Sequence, residues 1–200
     1  MQKDRYSAGM VSKPFWYVEF KTIIELLARG YSYDDIKHKA VEENLFGVPK
    51  KYRAQEIYNG ISRRAKSFDA ETIDLFCKTD LTSKKALALI AVLKTDRLFF
   101  EFLYEVYREK ILLGLPYIES SDLNTFFGNK QAQSEIVASW KEYTIKKLKN
   151  SYVNYLADSG LSLREGGSYK ITPPVLDTAV KEYLSCGDRR QYLRALIGEK

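Results

Sequence analysis

Cysteine and histidine are almost missing from this chain, and their scarcity removes whole classes of chemistry. The two cysteines, Cys77 and Cys186, lack CxxC spacing and cannot form a disulfide framework, so a reducing, cytoplasmic setting is expected. The one histidine, His38, falls on a polar helix face beside Lys37 and Lys39 and reads as a solvated surface residue. A Ser-His-Asp triad would have to use it, and no GxSxG accompanies it. The phosphate-cradling patterns GxGxxG and GxxxxGK followed by Ser or Thr do not occur. Long apolar runs are lacking too. The longest, Ala86–Leu93, has eight residues where roughly 20 are needed to span a bilayer, and the opening MQKDRYSAGM has no apolar signal core. Glu101, Glu105 and Glu109 share a helix face, but without the ExxH of bundle metal sites. With Arg97, Arg108 and Lys110 close by, they read as ion-pair partners. No catalytic residue, metal, cofactor or membrane contact is expected, and hence no enzyme.

What is present is a globular composition, 45% hydrophobic and 29% charged, with 15 Tyr and 10 Phe. That is enough apolar surface for a sizeable core, in which large rings should dominate. The net charge of +6 is unevenly spread. Residues 1–66 hold 13 Lys/Arg against 8 Asp/Glu, residues 67–135 hold 8 against 11, and residues 136–200 hold 11 against 7. Two basic ends flank an acidic middle, a pattern that points to two anion-facing surfaces rather than one.

Helix signals recur along almost the whole chain, and the fold class read from them is all-α, a compact multi-helix globule. Ser12 and Pro14 open an amphipathic segment in which Trp16, Phe20, Ile23, Ile24 and Leu27 repeat at helical spacing until Gly30. Ser32 and Asp35 cap a second helix reaching about Glu43, and a third runs from about Lys50 to Lys66. These three form a helix-turn-helix-like module over 1–66. Over 67–118 lie central buried helices: one capped by Asp69, one capped by Thr82 or Ser83, and a long one over 96–113 that ends at Gly114 and Pro116. The segment 119–200 is a second helix-turn-helix-like module. It opens on a Ser120–Asp122 cap, has helices at about 122–130, 133–140 and 144–158, and a last helix at about 176–184. Between them, LSLREGGSYKIT reads as a β-hairpin turning at Gly166-Gly167, placed where a winged helix carries its wing.

The third helix of each module carries the candidate site. In 50–66, Ala54, Ile57, Tyr58, Ile61 and Ala65 cluster on one side at 100° per residue and should face the core. Opposite stand Gln55, Asn59, Arg63 and Lys66, with Arg53 and Arg64 at the flanks and away from the apolar stripe. Gln, Asn and Arg match adenine and guanine edges in the major groove, while Lys50, Lys51, Arg53 and Arg64 are placed to neutralise phosphates. Gly60 beside this stripe would permit close approach of a backbone. In 144–158, Ile145, Leu148, Tyr152 and Leu156 should face inward. Lys146, Lys147, Asn150 and Asn154 face outward, with Tyr143 just before the helix. Such a face on the third helix of a three-helix unit is how a recognition helix is presented to duplex DNA.

The stretches YSAGMVSKPFW, EFKTIIELLARGYS, EENLF, RAQEI, KTDRLFFEFLYEVYREK, SDLNTFF and QSEIVASWKEYTIKKLKNSYVNYLADSGL resemble the BrxA family of type 1 BREX phage-exclusion systems, over about residues 6–197. The resemblance implies an all-helical protein with helix-turn-helix elements and DNA-binding ability. It would act beside an adenine methyltransferase, an ATPase, an alkaline-phosphatase-like protein and a further small protein, in systems that mark host DNA and block replication of unmarked phage DNA. The family brings no catalytic residues to carry over. The expected function is therefore that of a non-catalytic double-stranded-DNA-binding component of phage defence. The competing readings are an assembly adaptor, whose basic faces dock acidic partner proteins, and an RNA-binding helical protein.

Overall fold

The computed structural model describes residues 6–199. Of the N-terminal stretch read for a signal segment, residues 1–5 lie outside the described residues. Helix of all types accounts for 66% of the described residues, and no helix among them is long and apolar enough to cross a membrane. The first three helices are α1 (Tyr17–Ala28), α2 (Tyr33–Val41) and α3 (Lys51–Ala65). The middle of the chain forms α4 (Ala70–Lys78), α5 (Leu81–Leu93), α6 (Arg97–Phe102) and α7 (Arg108–Leu112). After the two-residue strand β1 (Tyr117–Ile118) come α8 (Ser120–Gln133), α9 (Glu135–Ala138) and α10 (Glu142–Ser159). Strands β2 (Ser162–Glu165) and β3 (Ser168–Ile171) precede α11 (Thr178–Leu184) and α12 (Arg190–Ile197).

Local chemistry explains most of these boundaries. Ser32 and Asp35 form a reciprocal capping box on α2, each side chain taking up the other's backbone N–H. Asp69 caps α4. The cap of α5 is Asp80, which accepts from the Ser83 backbone N–H at 2.9 Å. Thr82 and Ser83 do not cap it, and the Ser83 hydroxyl instead accepts from the Asp177 N–H at 2.8 Å, fastening the start of α11 to α5. Likewise Glu119 and Asp122, rather than Ser120, close the box at the start of α8. The expected single helix over 96–113 is interrupted by a π-helical turn, Leu103–Tyr107. This turn packs against α12, and at its end Tyr107 and Arg108 are both buried.

The expected hairpin is present. Gly166 and Gly167 have φ of 56° and 100°, positive at both central positions as a two-residue type I′ turn requires. The strand content extends beyond the hairpin, because Tyr117 and Ile118 pair antiparallel with Lys170 and Tyr169, giving a three-stranded sheet ordered β1-β3-β2. One hydrophobic cluster runs from Met10 to Leu196. At its centre Ala86–Leu93 of α5 are all buried. The ring of Tyr152 packs on Phe99, Phe102 and Phe127 with centroids 4.8, 5.3 and 5.5 Å away, joining α10 to α6 and α8.

Two of the three buried cations among the described residues, Lys130 and Arg64, organise this core. Lys130, 4% exposed, reaches Glu101 at 2.7 Å and Glu105 at 2.6 Å, and Glu101 also accepts from Arg97 at 2.7 Å and Tyr6 at 2.8 Å. Burial pushes the Glu101 carboxyl upward, but the donors Lys130, Arg97 and Tyr6 outweigh it and hold its pKa below the usual range. The expected ion-pair role of the 101/105/109 carboxylates is thus observed, with Arg108 on Glu109 at 2.6 Å completing it. Arg64, also 4% exposed, donates to the Phe15 carbonyl at 2.8 Å and to the Tyr155 hydroxyl at 2.5 Å. It lies over the rings of Trp16 and Tyr155. Tyr155 in turn donates to the Pro14 carbonyl at 2.9 Å, and Ser151 to the Met10 carbonyl at 3.2 Å. The segment 10–16 is therefore pinned between α3 and α10.

Two outcomes follow from these cations. Arg64→Ala strips the Phe15 carbonyl of its donor and removes the stem packed between two rings. Stability should fall by about 2–3 kcal/mol, lowering the thermal midpoint by roughly 5–10 °C for a chain of this size. A melt within a degree of the parent would contradict this role. Because the Glu101 pKa is lowered on folding, its contribution is complete above the unfolded value of about 4.3. It is lost as pH falls through the folded value. Melting temperatures should drop below about pH 4, and Lys130→Met should flatten that acid limb. An unchanged limb would remove Lys130 from it.

Candidate nucleic-acid interface

Helix α3 buries Ala54, Ile57, Tyr58, Ile61 and Ala65, the set expected from its periodicity. On its other side Lys51, Asn59, Arg63 and Lys66 are exposed, and Arg53 and Gln55 are half-buried. Gln55 donates its amide to the Asn59 side chain at 2.7 Å, so the two amides stand as one unit one turn apart. Lys51 pairs with Glu42 and Arg53 with Glu56 at 2.6 Å, both at positions open to solvent. Lys50 lies over the Tyr52 ring and Lys66 over the Tyr33 ring. Exposed pairs of this kind contribute about 0–1 kcal/mol, so exchanging a carboxylate for a phosphate costs little.

Two expectations for this helix are corrected. Arg64 does not flank the outer face. Its guanidinium points into the protein, where the Phe15 carbonyl and Tyr155 hydroxyl use it, so it is not placed to neutralise phosphate. The close approach at Gly60 is made by Trp16, since a Cβ built on Gly60 would lie 2.9 Å from Trp16 Cζ3. Trp16 itself sits in the left-handed region at φ 54°, a conformation costing about 1–2 kcal/mol for an L-residue. Gly60, Arg64 and Arg53, whose guanidinium is 5.5 Å from the Trp16 ring centroid, hold the indole there.

Helix α10 buries Ile145, Leu148, Tyr152 and Leu156 as expected, together with Ser151, Val153, Tyr155 and Ser159. Tyr143, Lys146, Asn150 and Asn154 are exposed and Lys147 is half-buried, its ammonium 5.4 Å from the Tyr143 ring centroid. Among the described residues no side-chain hydrogen bond or ion pair engages Arg63, Lys146, Asn150 or Asn154. Lys149, on the flank, is turned the other way. It donates to Asn124 at 2.7 Å and burial lowers its pKa.

The connections on the two sides differ. Residues 42–50 join α2 to α3, a longer link than the three or four residues of a helix-turn-helix, whereas Ser139–Lys141 join α9 to α10 with three. The hairpin follows α10 and exposes Arg164 and Lys170, two cations that helical phase alone does not reveal. The two faces share a frame, because Arg64 of α3 and Tyr155 of α10 meet directly. Elsewhere, His38 is exposed and lies 3.3 Å from Glu43, and no group of three or more metal-ligating side chains occurs among the described residues.

Known proteins extend this picture. A crystal structure of an uncharacterized protein from Magnetospirillum magneticum superposes with a TM-score of 0.76, covering 96% of this chain and 98% of that one at 19% identity; it shares the fold. The BREX protein BrxA of Bacillus cereus is 38% identical over 199 residues, covering 100% of both chains. The BrxA family model matches residues 4–187. The chain belongs to the BrxA family, and with it to the BREX proteins of phage defence.

Proposed function

We propose that this chain is a non-catalytic component of BREX phage defence that binds double-stranded DNA through the outer faces of α3 and α10. The observation that carries the reading is the set Arg63, Lys146, Asn150 and Asn154, which no side-chain hydrogen bond or ion pair engages among the described residues. These are exposed cations and amides on two long helices, in a protein whose buried polar side chains are mostly engaged. Arg and Lys supply charge for phosphates, and Asn and Gln supply the paired donor and acceptor that fit adenine edges. The three-residue link before α10 and the hairpin after it match the order of a winged helix, in which the recognition helix enters the major groove. Catalysis has no part in this reading, since Glu101, Glu105 and Glu109 are held in ion pairs and His38 is an exposed side chain beside Glu43. Other BREX proteins, among them a methyltransferase, an ATPase and a phosphatase-like protein, are the partners beside which such a subunit would bring DNA.

Binding should be largely electrostatic. Dissociation constants on the order of 10⁻⁴–10⁻⁶ M at physiological salt are expected for association of this kind, weakening steeply between about 50 and 200 mM. Lys51→Ala with Arg63→Ala, and separately Lys146→Ala with Lys147→Ala, should each weaken binding without lowering the melting temperature. Every phosphate interaction removed should reduce the log–log salt slope by about 0.9. Fluorescence anisotropy with a labelled duplex at three salt concentrations measures both. Affinity indifferent to salt, or a combined variant that binds like the parent, would refute the reading. Preferential competition by RNA would redirect it to RNA.

A further inference from the structure

At the C-terminal end of α3 the outer face continues into a groove of about 560 Å³. Its walls come from three parts of the chain: the end of α3, the turn between α5 and α6, and the turn leading into α12. Arg63, Lys66, Lys94 and Arg189 line it with the acid Asp188, while Glu71 and Asp69 stand close behind. Lys94 is held upright by donating to the Ser67 carbonyl at 3.2 Å. Arg189 is held by the Tyr183 ring 3.9 Å beneath its guanidinium and by Glu71 at 3.4 Å. These are positioned cations rather than trailing surface chains. Arg63 and Lys66 belong to the groove and to the exposed face of α3 alike, so the two surfaces are continuous.

We propose that this groove is a phosphate clamp for the sugar-phosphate backbone flanking the major groove that receives α3. The inference rests on the DNA-binding reading above. Length supports it: the 15 residues of α3 span roughly 22 Å at 1.5 Å each, while the major groove is about 12 Å wide. A helix lying across that groove therefore meets a backbone at each end. Lys50 and Lys51 stand at one end and the cation-lined groove at the other. An acidic peptide is the other occupant such charge could attract, but the groove continues through Arg63 and Lys66 into the exposed face of α3, so one extended backbone can follow both. The one aromatic side chain in the lining, Tyr192, is packed edge-on against Phe100. The clamp also gives the turn before α12 a place in a surface otherwise built from the first half of the chain.

Gln191 provides the test, because it is exposed, lines the groove and carries no charge. Gln191→Lys should tighten duplex binding several-fold and steepen the log–log salt slope by about 0.9, the value of one added phosphate interaction. The near-isosteric Gln191→Glu should weaken binding by a comparable factor. A gain of affinity cannot arise from misfolding, so the pair stays informative whatever either variant does to stability. Thr82→Lys controls for net charge. It is exposed near the opposite end of α5 from Lys94, roughly 18 Å away along the helix axis, and should change affinity little. If the parent binds no duplex, the DNA reading and the clamp fall together. If the parent binds and the Lys51/Arg63 variant weakens, yet neither Gln191 variant differs from Thr82→Lys, the clamp alone is refuted. In that last case the groove serves another partner or none.

Discussion

The buried guanidinium of Arg64 is the constraint on which the arrangement of this protein depends. Desolvating a cation costs several kcal/mol, and that cost is offset only where geometry satisfies its donors. Here no carboxylate reaches ion-pair distance among the described residues. A backbone carbonyl, a tyrosine hydroxyl and two aromatic faces satisfy it instead. They come from separate parts of the chain, so satisfying one side chain fixes α3, the segment before α1, and α10 relative to one another. The left-handed Trp16 is held within this assembly, against Gly60, where any side chain would collide with its ring. Asp96 adds a buried acid nearby. Burial pushes its carboxyl above the usual range, while the Phe99 N–H and the cations Arg63 and Arg64 pull it back.

This shared frame bears on how the two outer faces work. Modules joined by a flexible linker would bind as tethered sites and gain only through effective concentration. Faces fixed across a hydrogen-bonded cation keep their relative orientation in the free protein, so binding DNA as proposed would need less ordering. Rigidity of that kind suits a protein that would meet mostly phosphates, whose positions are set by the duplex and not by its sequence.

Much of this is legible in the sequence, and the failures have definite causes. The inward sets of α3 and α10 follow from spacing alone, because burial of Ile57 or Tyr152 depends only on helical phase. Arg64 is misplaced whenever residue type is weighed above phase, although it falls seven residues after Ile57, on the core side. Lys130 can be found likewise, at seven residues beyond Leu123 and four beyond Phe126. Strand β1 is invisible because its partner lies some fifty residues away and two residues carry no alternation. The π-helical turn is also beyond local reading, since it lies where α12 packs. For α5, credible caps stand close together, and the role falls to Asp80, whose carboxylate accepts from the Ser83 N–H, while the Ser83 hydroxyl serves the Asp177 N–H at the start of α11. Of the candidate site, the solvent-facing residues are legible. The groove beside them is not, because Lys94 and Arg189 meet only after the chain has folded.

The bond between Arg64 and Tyr155 spans 91 positions, and that separation imposes an order in time. On a ribosome moving at roughly 5–20 residues per second, Tyr155 is made about 5–18 s after Arg64. Until then Arg64 has the Phe15 carbonyl and the Trp16 ring but lacks the hydroxyl and ring of Tyr155. The N-terminal third can form helices during this interval but cannot settle into its final packing. The packing around Arg64 is therefore complete only once α10 has been made.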